Sequence, residues 1–107
     1  MKYGIFGGTF DPPHVGHMNI AKAALAQLGL DEVIWVPANR NPLKRRRQSS
    51  AEQRLKMCEL AIDGRAGMAI SDIETSRGGE SYLVDTLREL KMVMPGEYWF
   101  ILGADAL

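Results

Sequence analysis

Residues 7–17, Gly-Gly-Thr-Phe-Asp-Pro-Pro-His-Val-Gly-His, combine residue types that can bind a chain of phosphates. Glycines where a strand turns into a helix let backbone N–H groups approach a phosphate closely. A helix that begins after Pro13 adds unpaired N–H donors and a partial positive charge. His14 and His17 are three residues apart, so in helical geometry they share one face and can direct imidazole N–H groups at the same polyphosphate. The segment is therefore typical of a site where histidines donate hydrogen bonds to a phosphate whose negative charge develops in the transition state.

The same segment could be an ordinary strand–helix turn with two surface histidines. Either histidine alone would more often be structural, but the glycine pair, Asp-Pro-Pro and His-x-Gly-His at one junction favour a phosphate site. The sequence contains neither the G-x-G-x-x-G dinucleotide fingerprint nor the Gly-Lys-Ser/Thr of a P-loop. Asp11 could help to place magnesium through water, or it could stabilise the turn.

Composition narrows the class of protein. The chain has 107 residues and a formal net charge of zero, which suits one small domain and gives no indication of a nucleic-acid-binding face. Its basic cluster, residues 44–47, could be a solvated loop, a local anion site or a targeting signal. The single cysteine, Cys58, excludes a disulfide within the chain and a thiolate metal cluster. No apolar run reaches membrane-spanning length and the N-terminus lacks a signal-peptide pattern, so we expect a cytoplasmic protein with no membrane or nucleic-acid partner.

Apolar runs and turn residues predict strands that alternate with helices. The predicted strands are Lys2–Phe6, Glu32–Val36, Met68–Ile73 and Tyr98–Leu102. The predicted helices are Val15–Leu28, a second from near Ser50 to about Ile62, and a third from about Ser81 to Met92. Gly29 would end the first helix. A capping box, formed by Ser50 with Gln53 or by Ser49 with Glu52, would begin the second.

This β-α-β-α-β-α-β order predicts one α/β domain over residues 1–107, with a Rossmann-like parallel sheet and flanking helices. Such sheets bind ligands at the carboxyl ends of their strands, where the segments 7–17, 37–47 and 103–105 would lie. No helix follows the fourth predicted strand. We therefore expect a chain that is C-terminally incomplete, that is weak or inactive as an enzyme by itself, and that can form a homo-oligomer through an exposed strand.

Residues 7–17 resemble the signature of the cytidylyltransferase-like nucleotidyltransferases, whose His-x-Gly-His is related to that of class I aminoacyl-tRNA synthetases. Within that group the segment is most similar to bacterial nicotinate mononucleotide adenylyltransferases, and further segments agree: Leu30–Val33, Pro42 with Lys44, Gly79–Thr86 and Ile101–Leu107. The resemblance implies an enzyme of NAD biosynthesis that transfers the adenylyl group of ATP to nicotinate mononucleotide, giving deamido-NAD and pyrophosphate. We expect Mg²⁺ to be carried with ATP, since the sequence shows no cluster of carboxylates to hold a metal.

The resemblance also assigns roles to residues. His14 and His17 would be catalytic. The residues that bind ATP would be Gly7, Gly8, Thr9, Phe10, His14, His17, Lys44, Gly103 and Asp105, with the ribose near the last two. The nicotinate would lie near Ser81, Tyr82 and Leu83, largely against backbone groups, although Leu83 stands where threonine is common in the family. Taken alone, Lys44 would be interpreted as a surface lysine and Asp105 as a helix N-cap.

Three alternatives stay open. A sister enzyme could use another acceptor, such as nicotinamide mononucleotide or phosphopantetheine, although the form of residues 7–13 and 79–86 argues against it. The chain could bind ATP without turnover, because family members continue well past this length with a further phosphate-binding motif. The third alternative is a tRNA-synthetase-like module, but the short length and the neutral net charge argue against it.

Overall fold

A computed structural model describes residues 1–39, 49–78 and 83–101 of the chain. Its elements in chain order are β1 (Lys2–Gly8), α1 (Val15–Gln27), β2 (Glu32–Pro37), α2 (Ala51–Ile62), β3 (Met68–Ile70), α3 (Ile73–Arg77), α4 (Leu83–Val93) and β4 (Glu97–Ile101). The predicted alternation of strands and helices is confirmed. β3 is shorter than predicted, because the chain turns at Ser71 and Asp72 into α3, a short helix that the apolar pattern did not reveal. The predicted beginning of the last helix near Ser81 and the predicted end of the last strand at Leu102 lie outside the described residues.

The four strands form one parallel sheet in the order β3-β2-β1-β4. From β1 the chain moves outward through β2 to β3 and then returns to the opposite side of β1 with β4. The strand order therefore reverses between β1 and β4, which is where sheets of this kind form a ligand crevice at their carboxyl ends. Gly8 lies beside Pro37 in the register of β1 and β2, so the loops that follow these two strands leave the sheet as neighbours.

Helices cover both faces of the sheet. Side chains of successive strand residues point to opposite faces. Phe6 and Trp35 accordingly belong to one core cluster, with Met18 of α1 and Cys58 of α2. The other face carries a second cluster, Tyr3, Ile5, Ile34, Val36 and Leu90, against which Ile73 of α3 and Leu87 of α4 pack. The predicted Rossmann-like α/β layering is confirmed, and it fixes the strand ends that support the site.

The ends of α1 and α2 follow the turn chemistry expected from the sequence. Ser50 caps α2: its hydroxyl oxygen accepts from the backbone N–H of Gln53 at 3.1 Å, and the Gln53 side-chain oxygen accepts from the backbone N–H of Ser50 at 3.2 Å. Gly29, just past α1, has a φ of 61°, which glycine adopts at little cost. Across the described ranges, none of the helices is long and apolar enough to cross a membrane.

Candidate active site

Phe10 anchors the turn after β1, because its side chain packs in the hydrophobic core. This residue has a φ of 52°, a left-handed conformation that costs a bulky side chain roughly 1–3 kcal/mol. Its fully buried ring packs edge-on against Phe6, with ring centroids 5.3 Å apart, and against His17 at 5.0 Å. It also lies 5.2 Å from the ring of Trp35. This packing offsets the backbone strain, so the side chain of Phe10 is a core anchor and only its backbone can face a ligand.

His14 and His17 cap the N-terminus of α1 reciprocally. His14 is the N-cap, in extended conformation, and its Nδ1 accepts from the backbone N–H of Gly16 at 3.0 Å. The backbone N–H of His14 in turn donates to Nδ1 of His17, also at 3.0 Å. The two ring centroids are 3.9 Å apart. The predicted sharing of one helix face by these histidines is confirmed.

The caps decide which ring nitrogen of each histidine carries the proton. Because both Nδ1 atoms accept hydrogen bonds, a neutral imidazole at either position has its proton on Nε2. The ring of His17 is buried at 4% exposure, whereas His14 is exposed. The arrangement therefore fixes the tautomer of both imidazoles at the N-terminus of α1, where the caps already engage the backbone N–H groups of His14 and Gly16.

Gly16 lies directly beneath the ring of His14. A Cβ on this residue would be 2.8 Å from Cε1 and 2.9 Å from Nδ1 of His14, closer than non-bonded atoms approach. The glycine of His-x-Gly-His is thus required by the capping geometry of the first histidine.

Arg54 of α2 joins the loops at this end of the sheet, and the sequence analysis missed it. It is 1% exposed, and its guanidinium donates to four main-chain carbonyl oxygens: Thr9 at 3.0 Å, Ala38 at 2.5 Å, Asn39 at 2.8 Å and Ser49 at 3.0 Å. Burial lowers the pKa of Arg54, and the negative charge of Asp11 opposes that shift. The available signal was the i, i+4 spacing that places Arg54 on the same helix face as the buried Cys58 and Ile62.

Asp11 connects the turn after β1 to the segment before α2. Its Oδ2 accepts from the backbone N–H of Ser49 at 2.7 Å. The loop after β2 is joined as well, since the backbone N–H of Ala38 donates to the carbonyl oxygen of Gly8 at 2.9 Å. The contact of Asp11 supports its interpretation as a turn-stabilising residue. Residues 7–17 and the beginning of the segment 37–47 are therefore brought together, as the parallel topology predicts.

A buried polar network lies on the other face, between α3 and α4. Thr86 donates its hydroxyl proton to the Glu74 carboxylate, and both side chains are almost fully buried. Arg77 donates to Thr86 Oγ1 at 3.2 Å and pairs with Glu89 at 3.2 Å. The network ties α3 to α4, the helices that precede and follow residues 78–82. Sequence reasoning did not find this network, because its members become neighbours only in the folded chain.

Several predicted site residues lie outside the described residues: Lys44, Ser81, Tyr82, Gly103 and Asp105. Leu83 is the first residue of α4, and its side chain is not described. Within the described ranges, no group of three or more His, Cys, Asp and Glu side chains could hold a metal ion.

The parallel sheet with helices on both faces and the paired histidines at the N-terminus of α1 define a Rossmann-like α/β domain. Residues 5–107 match the family described as cytidylyltransferase-like, and the chain belongs to that family.

Among curated relatives, a probable nicotinate-nucleotide adenylyltransferase of Herpetosiphon aurantiacus is 45% identical over 107 residues, covering 99% of this chain and 54% of the relative. Another, from Exiguobacterium sibiricum, is 44% identical and covers 100% of this chain and 57% of the relative. The chain thus spans about half the length of the curated relatives it matches.

A solved structure of similar fold is Plasmodium falciparum nicotinic acid mononucleotide adenylyltransferase complexed with NaAD, with a TM-score of 0.71 and 23% identity. The matched region covers 92% of this chain and 49% of the Plasmodium chain. At this identity the similarity shows the fold.

Proposed function

We propose that this chain supplies the ATP-binding and catalytic part of an adenylyltransferase that acts on nicotinate mononucleotide in the cytoplasm, in a step of NAD biosynthesis. The observation that carries the proposal is the pair of adjacent histidines, with Nε2 protons fixed by their caps, at a helix N-terminus that follows the glycine pair at the end of β1. Such an arrangement suits a polyphosphate, whose oxygens accept hydrogen bonds and carry negative charge. The names of the curated relatives support the acceptor.

In the proposed reaction, an oxygen of the 5′-phosphate of nicotinate mononucleotide attacks the α-phosphorus of ATP. A new P–O bond forms there, the bond from the α-phosphorus to the bridging oxygen of the β-phosphate breaks, and pyrophosphate leaves. A phosphate oxygen is already nucleophilic near neutral pH, so no side chain has to be activated. Catalysis then consists of in-line positioning and of stabilising charge on the α-phosphate and the leaving group.

The residues at the strand ends divide this work. His14 and His17 donate Nε2–H to the phosphates, and the backbone N–H groups of residues 7–10 supply further donors. By the family resemblance we assign Lys44 to the phosphates and Gly103 and Asp105 to the ATP ribose. The same resemblance assigns the nicotinate to Ser81, Tyr82 and Leu83.

We expect Mg²⁺ to enter with ATP, where it neutralises phosphate charge when bound. The donors described at this end of the sheet are N–H groups and imidazoles, which suit phosphate oxygens better than they suit a hard cation. The one carboxylate described in the turn, Asp11, accepts a hydrogen bond from Ser49. This donor set fits a metal that is held by the phosphates of ATP.

The test is product formation from ATP, Mg²⁺ and nicotinate mononucleotide, with deamido-NAD measured by chromatography and pyrophosphate by a coupled assay. It is run on this chain and on an extended chain, defined here as this chain followed by the remaining C-terminal portion of the Herpetosiphon aurantiacus relative. We expect deamido-NAD from the extended chain and a preference for nicotinate over nicotinamide mononucleotide. Equal or better turnover with nicotinamide mononucleotide would contradict the acceptor, and binding of ATP without any product from the extended chain would contradict the reaction.

A further inference from the structure

We propose that Arg54 is a positioning residue that sets the direction of the peptide groups in the phosphate-binding turn and in the loop beside it. The proposal rests on the proposed function, since it assumes that the backbone of residues 7–10 binds phosphates. Arg54 lies on α2, outside the glycine and histidine motif, and its guanidinium donates to main-chain carbonyl oxygens.

The contacts of Arg54 converge from separate parts of the chain. Nη1 donates to the carbonyl oxygens of Thr9 and Ala38, and Nη2 donates to that of Asn39. Nε donates to the carbonyl oxygen of Ser49, next to the cap of α2. One planar group thus holds the loops after β1 and β2 and the beginning of α2 in a single arrangement.

Peptide geometry turns these contacts into a direction for N–H groups. In a trans peptide the C=O and N–H bonds point in opposite directions. The Thr9–Phe10 peptide is trans and its carbonyl oxygen accepts from Arg54, so the N–H of Phe10 points away from the guanidinium. The same holds for the Ala38–Asn39 peptide and the N–H of Asn39. Removing the guanidinium would remove all four of these hydrogen bonds, and with them their hold on the direction of the carbonyl groups.

The chemical nature of the side chain supports a positioning role over a packing role. Arg54 shares its helix face with Cys58 and Ile62, where an apolar residue would fill space without burying a charge. The planar fork of a guanidinium can donate in several directions at once, whereas a lysine ammonium is a single compact centre. The acceptors of Arg54 are spread over three segments of the chain, which a guanidinium can reach at once and a lysine ammonium cannot.

The experiment compares binding of ATP and of inorganic triphosphate to this chain and to its Arg54→Met and Arg54→Lys variants by calorimetry. We expect both variants to bind each ligand at least about tenfold more weakly, because a misdirected N–H loses a hydrogen bond to a charged group. Two controls on α2 are Lys56→Met, which removes an exposed positive charge, and Ile62→Val, which loosens the core on the same face. Both controls should keep the affinity of the unmodified chain, even where Ile62→Val lowers the melting temperature.

The outcomes separate this proposal from the proposed function. If the unmodified chain binds neither ATP nor triphosphate, the proposed function fails. If it binds both and a folded Arg54 variant binds equally well, or if Ile62→Val weakens binding as much as Arg54→Met does, the positioning role is refuted. If neither Arg54 variant folds, the NMR resonance of the Arg54 Nε–H group in the unmodified chain tests the positioning role instead. Its shift on addition of triphosphate supports the proposal, and no shift while the Phe10 amide moves overturns it.

Discussion

Replacing Gly16 with alanine should separate stability from catalysis. The added Cβ would lie 2.8 Å from Cε1 of His14, whereas carbon atoms in contact are about 3.5 Å apart or more. The exposed ring of His14 can therefore relieve the clash only by moving roughly 0.7 Å or by swinging out. Either movement breaks the hydrogen bond from the backbone N–H of Gly16 and displaces one of the two donors.

The energetic consequences of Gly16→Ala differ for folding and for turnover. Alanine is more favourable than glycine inside a helix by up to about 1 kcal/mol, which offsets the loss of a cap of about the same size. A misplacement of about 1 Å in a catalytic group can lower a rate on the order of 10²-fold. We therefore expect an unfolding free energy within about 1 kcal/mol of the original and turnover of the extended chain lowered about ten- to hundredfold.

The assay combines chemical denaturation with release of pyrophosphate, and Gln27→Ala at the exposed far end of α1 is the matched control. The control should leave turnover unchanged. Unaltered turnover in Gly16→Ala would refute the view that the ring of His14 must sit where the structure places it. A variant that does not fold would refute the stated balance of helix propensity and capping.

Three further predictions concern His17, Cys58 and β4. His17→Ala should lower turnover of the extended chain on the order of 10²–10³-fold while the chain stays folded, because one preorganised donor is lost; unchanged turnover would remove His17 from the catalytic role. Burial raises the pKa of Cys58 to about 12, so between about pH 9 and that value the unfolded chain loses a proton that the folded chain keeps. The unfolding free energy should then fall with rising pH by up to about 1.4 kcal/mol per pH unit more steeply than in Cys58→Ala, and equal slopes in denaturation curves would contradict this. β4 is an edge strand of the described sheet and Phe100 is 47% exposed, so sedimentation of this chain should show self-association, and a monodisperse monomer would be the opposite result.

The strand and helix pattern was predictable because each element carries a local signal. β2 contains a run of four apolar residues, the apolar residues of β1 end at a glycine pair, and Ser50 with Gln53 marks the beginning of α2. The error came at residues 68–73, where Ile73 was taken as the end of the predicted strand although it is the first residue of a helix. Ile73 is apolar because α3 packs on the second core cluster, and apolar character alone does not distinguish a strand from a single helical turn.

The site divides in the same way. His14 and His17 were found because their spacing and their position after a strand are visible in the chain. Arg54 was missed because it lies among polar residues such as Glu52, Gln53 and Lys56, which are exposed, and because its partners are main-chain carbonyls. Every residue type has a main-chain carbonyl oxygen, so the residues that accept hydrogen bonds from Arg54 cannot be recognised from their types in the sequence.

Titration of this chain with ATP and Mg²⁺, followed by NMR of its imidazole nitrogens and backbone amides, shows directly where the triphosphate binds. We expect Nε2 of His14 and His17 and the amides of Gly7 and Gly8 to shift together with one affinity, while both Nδ1 atoms remain hydrogen-bond acceptors. If ATP binds and shifts other residues but leaves these four positions unmoved, the triphosphate does not bind at the histidine-capped helix.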